Sequence, residues 1–241
     1  MKKTYFLLVS VVFSVAWLSC SKPTDSGDDT AGPYKLSYGD SILYMRPSAG
    51  DYIVSPTSQR PGTYTGFPDG IEIDGTTGAI NVSKSETGLR YRITHTGTDG
   101  TVTTTMVVLS GITFTDKFYN LSLHDSIAFP VYNASPSRVL PLSGSSFDDG
   151  NVANGGGCAV RTTNGSINLA ETVRNGVFGS TPQNDRRETF EIKYRINDAS
   201  GKTENKLKVL LYWYNTMADV PADVWQTLND RQNEGVFLKG A

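Results

Sequence analysis

Apolar and polar residues alternate with a period of two in several short stretches, and clusters of turn-forming residues separate them. Ile71 and Ile73 alternate with Glu72 and Asp74, and Tyr91 and Ile93 alternate with Arg90, Arg92 and Thr94. Phe190, Ile192, Tyr194 and Ile196 alternate with Glu191, Lys193 and Arg195. A repeat of two places each apolar set on one face of a β-strand. Val102 to Leu109 and Lys206 to Tyr214 are further runs of strand-forming composition. Asp69-Gly70, Asp99-Gly100 and Asn197-Asp198-Ala199-Ser200-Gly201 stand between such runs as turns. Only the C-terminal stretch differs: Pro221 opens it, and Val224, Trp225 and Leu228 fall on one side of a helix. Strands with one apolar face each must pack sheet on sheet, so the predicted fold is all-β, built as β-sandwiches with a short C-terminal helix.

The pattern repeats along the chain. Asp40-Ser41-Ile42 recurs as Asp125-Ser126-Ile127, 85 positions later. Thr76-Thr77-Gly78-Ala79-Ile80-Asn81-Val82 recurs as Thr162-Thr163-Asn164-Gly165-Ser166-Ile167-Asn168-Leu169, with the glycine and the Ile-Asn pair offset by 87. Tyr91-Arg92-Ile93 recurs as Tyr194-Arg195-Ile196, offset by 103. Three matches in one order predict a duplication. The jump from 87 to 103 predicts an insertion of 16 residues in the second copy between Asn168 and Phe190, placed at residues 174–188 by their turn-rich composition. The expected domains are therefore 33–111 and 112–217, followed by a helix and tail at 218–241.

The stretch Phe67-Pro68-Asp69-Gly70-Ile71-Glu72-Ile73-Asp74-Gly75-Thr76-Thr77-Gly78-Ala79-Ile80, followed by Tyr91-Arg92-Ile93-Thr94, resembles the strand, Thr-Gly turn and strand signature of bacterial immunoglobulin-like and cadherin-like domains. The resemblance covers residues 33–111 directly and 112–217 through the internal repeat. It implies two tandem immunoglobulin-like β-sandwich domains. Such domains act as spacers or adhesive modules, so the fold by itself implies little chemistry.

The N-terminus carries a different signal. Lys2-Lys3, an apolar run from Tyr5 to Leu18 and Ser19-Cys20 resemble a bacterial lipoprotein signal peptide, with residues 1–19 removed and Cys20 lipidated. The run suits a signal peptide and falls short of the roughly 20 apolar residues of a membrane span. The alternative is an ordinary secretory signal with Cys20 incidental. Acyl chains contribute about 0.8 kcal/mol per buried methylene, so two or more anchor a protein stably. Residues 20–32 contain no large apolar side chain and three aspartates, and are expected to be a flexible tether. An acidic stretch behind the cysteine resembles the export signal of Bacteroidota surface lipoproteins; a solvated spacer is the plainer alternative. Ser21 after the cysteine resembles the outer-membrane sorting pattern. The expected location is the outer membrane, lipid-anchored, facing the medium or the periplasm.

Charge narrows the partners. Residues 20–241 carry 20 basic and 24 acidic side chains, with no basic cluster longer than Arg186-Arg187, which leaves no electrostatic footprint for nucleic acid. With Cys20 acylated, Cys158 has no partner for a disulfide.

Enzymatic constellations are sparse. His95 and His124 stand in no metal-ligand spacing, and no Gly-x-Ser-x-Gly elbow accompanies a serine. Calcium needs six to eight oxygens, and Asp148-Asp149 in the glycine-rich loop 143–157, expected to be mobile, supplies too few. No cofactor, catalytic residue or metal ligand is therefore assigned. The binding candidates are aromatic, because flat rings stack on sugar faces. On the last strand Leu207, Val209, Leu211 and Trp213 share one face, and Lys208, Leu210, Tyr212 and Tyr214 the other. Tyr212, Tyr214 and Trp225 are the candidate ligand contacts; the competing expectation is that the C-terminal helix docks on the second sandwich and covers that face. Thr30, Ser41 and Ser126 fit an Asp-(Ser/Thr)-apolar pattern resembling the O-glycosylation signal of Bacteroidota exported proteins, although an Asp-Ser turn opening a strand explains the last two equally well.

Together these features predict a non-enzymatic binding or adhesion accessory with a polysaccharide or surface-protein partner. A structural subunit such as a fimbrillin-like pilus component is the alternative, and a hydrolase the remote one. Lipidation has a direct readout: Cys20→Ala should lose radiolabelled fatty acid and leave the membrane fraction, and unchanged labelling overturns it.

Overall fold

A computed structural model describes residues 34–233. The signal peptide, Cys20, Thr30, the tether and the last eight residues lie outside the described residues. In the first half the strands are β1 (Ile42–Leu43), β2 (Ile53–Val54), β3 (Gly62–Phe67), β4 (Ile80–Asn81), β5 (Arg90–Gly97) and β6 (Val102–Leu109). Four of them form a sheet in the order β1-β6-β5-β3, and β2 pairs with β4. The alternation along β5 is realised: Tyr91, Ile93 and His95 are buried while Arg90, Arg92 and Thr94 are only half so. The tight turn to β6 follows from its residues. Asp99 accepts the Thr101 N–H at 2.9 Å, and Gly100 takes the left-handed conformation the turn requires.

The second half contains β7 (Ile112–Phe114), β8 (Ile127–Ala128), β9 (Pro130–Tyr132), β10 (Ser146–Phe147), β11 (Ile167–Asn168), β12 (Arg186–Arg195) and β13 (Asn205–Trp213). Three helices accompany them: α1 (Val152–Gly155), α2 (Leu169–Arg174) and α3 (Ala222–Asn233). The sheet order is β10-β12-β13, with β8–β11 and β7–β9 as separate pairs. Phe147, Ile167, Ile192, Tyr194, Leu207 and Val209 lie in its core. The protein is thus β-rich, as expected. None of its described helices is long and apolar enough to cross a membrane.

One of the three sequence repeats is a structural repeat to the level of single hydrogen bonds. Ser85 Oγ accepts the Glu72 N–H at 2.9 Å and donates to the Asn81 carbonyl at 2.7 Å. Thr172 Oγ1 accepts the Ala159 N–H at 2.9 Å and donates to the Asn168 carbonyl at 2.9 Å. Asn81 and Asn168 each accept a backbone N–H three residues on, from Lys84 and Glu171. Gly78 and Gly165, with φ of 72° and 71°, donate to Asp74 and Arg161 at 2.8 Å in both cases. Every partner is displaced by 87 positions. Both glycines lie against an aromatic ring: a Cβ on Gly78 would stand 2.6 Å from Tyr64 Cδ1, and one on Gly165 2.8 Å from Phe147 Cδ1.

The other two matches are not equivalent positions. β1 runs parallel to β6, whereas β8, which holds the second Ile127, pairs antiparallel with β11 and so takes the place that β2 holds beside β4. Tyr91 lies near the start of β5, while Tyr194 stands near the end of β12. Tyr194 faces Phe147 across the sheet as His95 faces Tyr64, an offset of 99 rather than 103. The additional chain is therefore 12 residues rather than 16, and it lies after Thr172, which keeps the offset of 87, in the connection to β12. Strand register is decided by the facing strand, and three-residue matches carry no information about that partner. The loop expected to be mobile is also ordered: Asp148, 3% exposed, accepts the Ala153 and Asn154 N–H groups at 2.9 Å each and caps α1.

The halves meet on a buried polar seam. Tyr194 Oη lies 2.5 Å from Thr87 Oγ1 and accepts the Ile112 N–H at 3.1 Å. Gly111 stands against that hydroxyl and has no room for a Cβ. Asp198 accepts the Tyr132 hydroxyl at 2.7 Å and the Ser110 hydroxyl at 3.3 Å. Lys35 to Asn233 belong to one compact unit.

The C-terminal helix departs from expectation. Its half-buried stripe is Val224, Leu228 and Arg231. Arg231 pairs with Asp116 at 2.8 Å, and the Trp225 ring meets Phe118 at 4.8 Å. It therefore packs on the segment after β7 instead of covering Tyr212 and Tyr214.

Burial pushes the Tyr194 phenol up to about 12, so the stability it contributes is complete below an ordinary phenol pKa of 10.0 and is lost as pH rises toward 12. Tyr194→Phe should cost about 1–3 kcal/mol, because the Ile112 N–H and Thr87 hydroxyl lose a buried partner. It should also flatten the alkaline fall. Urea unfolding from pH 7 to 11 checks both.

Candidate functional site

The hairpin β12–β13 sets the only aromatic candidates that share a surface. Its rungs alternate strictly. Phe190 with Val209, Ile192 with Leu207 and Tyr194 with Asn205 point into the core. Arg187 with Tyr212, Thr189 with Leu210, Glu191 with Lys208 and Lys193 with Lys206 form the opposite, outward face. Leu210 is 54% exposed and Tyr212 38% exposed, so this face is not buried by a second layer.

At its far end the outward face is held by charge. The Arg187 guanidinium stands 4.7 Å over the Tyr212 ring and bonds Asp185 Oδ1 through Nε at 2.8 Å. Tyr214 Oη donates to the same oxygen at 3.0 Å. The hydrogen bond from Arg187 holds the Asp185 carboxyl below the usual range. Desolvation first, and the bond to Asp185 second, push the Tyr214 phenol up to about 12. Asp185 therefore stays an anion and Tyr214 a neutral donor at neutral pH. The arrangement offers two rings edged by a fixed carboxylate and a fixed guanidinium. Leu210 and Tyr212 leave it open to solvent, and it lies outside the clefts of about 260 and 330 Å³ elsewhere on the surface.

The remaining candidates separate. Trp225 meets Phe118 after β7, and Trp213 turns to the other side of the strand, 6.0 Å from Phe178. Ser41 is exposed and Ser126 half-buried. Both lend their carbonyls to backbone bonds, from Val108 and Leu169, at the openings of β1 and β8. Sequence reasoning missed Asp185 and Arg187. Their charge is visible in the sequence, but only the register of β12 on β13 places Arg187 opposite Tyr212.

Other chemistry finds little purchase. His95 is 3% exposed with its ring 4.5 Å from Tyr64, and His124 closes a 3-10 turn in the left-handed conformation. Among the described residues no group of three or more His, Cys, Asp or Glu could hold a metal ion. Asp148 caps α1 and Asp149 bonds Arg195 at 3.1 Å, so neither carboxylate stands free for calcium. The chain matches no protein-family model and no curated protein.

Cys158 is fully buried, and desolvation pushes its thiol up to about 12. Reactivity requires the thiolate. Ellman's reagent should therefore leave Cys158 unmodified in the folded protein and react fully in guanidinium; fast reaction without denaturant would contradict the described packing.

Proposed function

We propose that this protein is a lipid-anchored outer-membrane lipoprotein, exposed at the cell surface, that binds glycans as a non-enzymatic accessory of a nutrient-uptake or adhesion system. In this reading both halves are immunoglobulin-like β-sandwiches, and the outward face of β12–β13 is the binding surface. The observation that carries it is the exposure of Tyr212 beside Tyr214 on a face that also holds Leu210, with Asp185 and Arg187 fixed at its edge. Sugar rings present apolar C–H faces and a rim of hydroxyls. Rings for the first and charged hydrogen-bonding groups for the second are what such a ligand requires. One face of Tyr212 is taken by Arg187, so the guanidinium either yields to a sugar or stacks behind the ring to orient it. An open platform suits a polysaccharide chain better than a single small sugar.

Native gels cast with a panel of polysaccharides test the reading with the full chain. Retardation by at least one polysaccharide is expected, and Tyr212→Ala/Tyr214→Ala should abolish it while circular dichroism shows the fold intact. Absence of retardation across the panel, or retardation that survives the double substitution, overturns the assignment of this face.

A further inference from the structure

In the first half the outer edge of the long hairpin is covered. β1 runs parallel along β6, with Ile42 opposite Val108 and Leu43 opposite Leu109. The Val108 and Ser110 N–H groups donate to the Ser41 and Leu43 carbonyls, each at 2.8 Å. β13 occupies the place of β6 in the second half, since the rungs Tyr64–His95–Thr103 correspond to Phe147–Tyr194–Asn205. By that register Leu210 stands where Val108 does, and Tyr212 where Ser110 does. Yet β13 ends its sheet, and among the described residues no strand pairs with its outer side. The segment that shares the Asp-Ser-Ile triplet of β1, Asp125 to Ala128, lies on β11 in the place of β2 and does not pair with this edge. The two positions also differ in exposure: Val108 is 7% exposed and Leu210 54%.

A nine-residue edge strand in unbroken one-to-one register, without proline, presents a row of backbone donors and acceptors to any extended chain. We propose that the outer edge of β13, from Lys208 to Tyr212, receives an extended strand from a partner protein, added parallel to β13 in the place that β1 fills in the first half. The neighbouring side chains specify the strand. Two consecutive aliphatic residues would stand beside Leu210 and Leu211, as Ile42 and Leu43 stand beside Val108 and Leu109. A carboxylate two residues earlier would meet Lys208, which makes no ion pair among the described residues, and Lys206 adds a second cation 3.9 Å from Glu191. Asp40-Ser41-Ile42-Leu43 has that pattern itself. Backbone bonds along the edge would carry affinity, and the side-chain pattern selectivity. The receiving edge adjoins the proposed glycan face: its N–H groups lie in the plane of the sheet, while the Lys208 and Leu210 side chains belong to both.

The probe is a fluorescein-labelled peptide with the sequence of residues 38–45, Tyr-Gly-Asp-Ser-Ile-Leu-Tyr-Met, titrated against the full chain and read by anisotropy. Saturable binding is expected. Residues 41 and 43 turn their backbone groups toward the receiving edge and residue 42 turns its groups away. N-methylation at the peptide's Leu43 should therefore weaken binding at least about tenfold, by loss of one backbone bond and a steric clash, while N-methylation at Ile42 should leave it unchanged. Lys208→Glu, a change at an exposed side chain, should weaken binding of the unmodified peptide. Absence of saturation, or equal effects of the two N-methyl groups, overturns strand addition. Self-association of the chain in sedimentation that the peptide reverses would make the occupant a second copy and overturn assignment to a partner protein.

Discussion

An aromatic ring packed against a left-handed glycine is the contact on which both halves are built. Tyr64 from β3 rests on Gly78, and Phe147 from β10 rests on Gly165. The contact demands two things together: a residue free to adopt φ near 70° and the absence of a Cβ where the ring sits. Once the ring is seated, the strand that carries it is fixed against the Thr-Gly hairpin. Its cross-strand neighbours, His95 in one half and Tyr194 in the other, are then committed to the core. The Asn and Ser/Thr side chains that close the far end of each hairpin complete the unit by satisfying backbone groups that the short strands leave unpaired. Two-residue strands such as β4 and β11 persist because these side chains extend the ladder that the backbone alone ends too early.

The same position serves two purposes in the two halves. His95 packs against Tyr64 within its own half, the two rings tilted by 44°. Tyr194, at the corresponding place, is long enough to reach out of its unit to Thr87 and the Ile112 N–H, and so ties the halves together. A buried hydroxyl with two partners favours one arrangement of the groups around it, because each partner is costly to leave unpaired. The seam through Asp198, Tyr132 and Ser110 acts in the same way.

What could be read in the sequence depended on how far apart the deciding residues lie. The alternation along β5 and β12, the Thr-Gly turns and the 87-residue repeat are local, and each was legible because one element's own residues determine it. The Asp-Ser-Ile and Tyr-Arg-Ile matches misled for the opposite reason. Their surroundings are set by distant strands, so identical triplets run along β6 in one case and β11 in the other. The helix α3 was visible as a helix, but its docking on Asp116 and Phe118 was not, because a sparse stripe of Val224, Leu228 and Arg231 fits many surfaces. Tyr212 and Tyr214 were identifiable as ring-bearing positions on one strand face, whereas Arg187 required the register that sets it opposite Tyr212, 25 positions away in the chain.

The two halves diverge at the edge of the hairpin. In the first half the chain before β2 lies beside β6, and the hairpin edge is closed. In the second half no strand takes that place among the described residues, and the longer connection through α2 and the loop to Asp185 brings Asp185 and Arg187 to the far end of β12. The hairpin β12–β13 is longer than β5–β6, exposes apolar side chains toward its end and, among the described residues, has no strand on its outer edge. Lys206 and Lys208 protect such an edge against indiscriminate pairing, since a strand without a matching carboxylate would bring no partner to those cations. The features that keep the edge soluble are therefore also the ones that would make it selective. A duplicated unit can acquire a binding surface in this way without any change to its core, because the aromatic-on-glycine contact that holds the core lies on the opposite side of the sheet from the exposed Lys208, Leu210 and Tyr212.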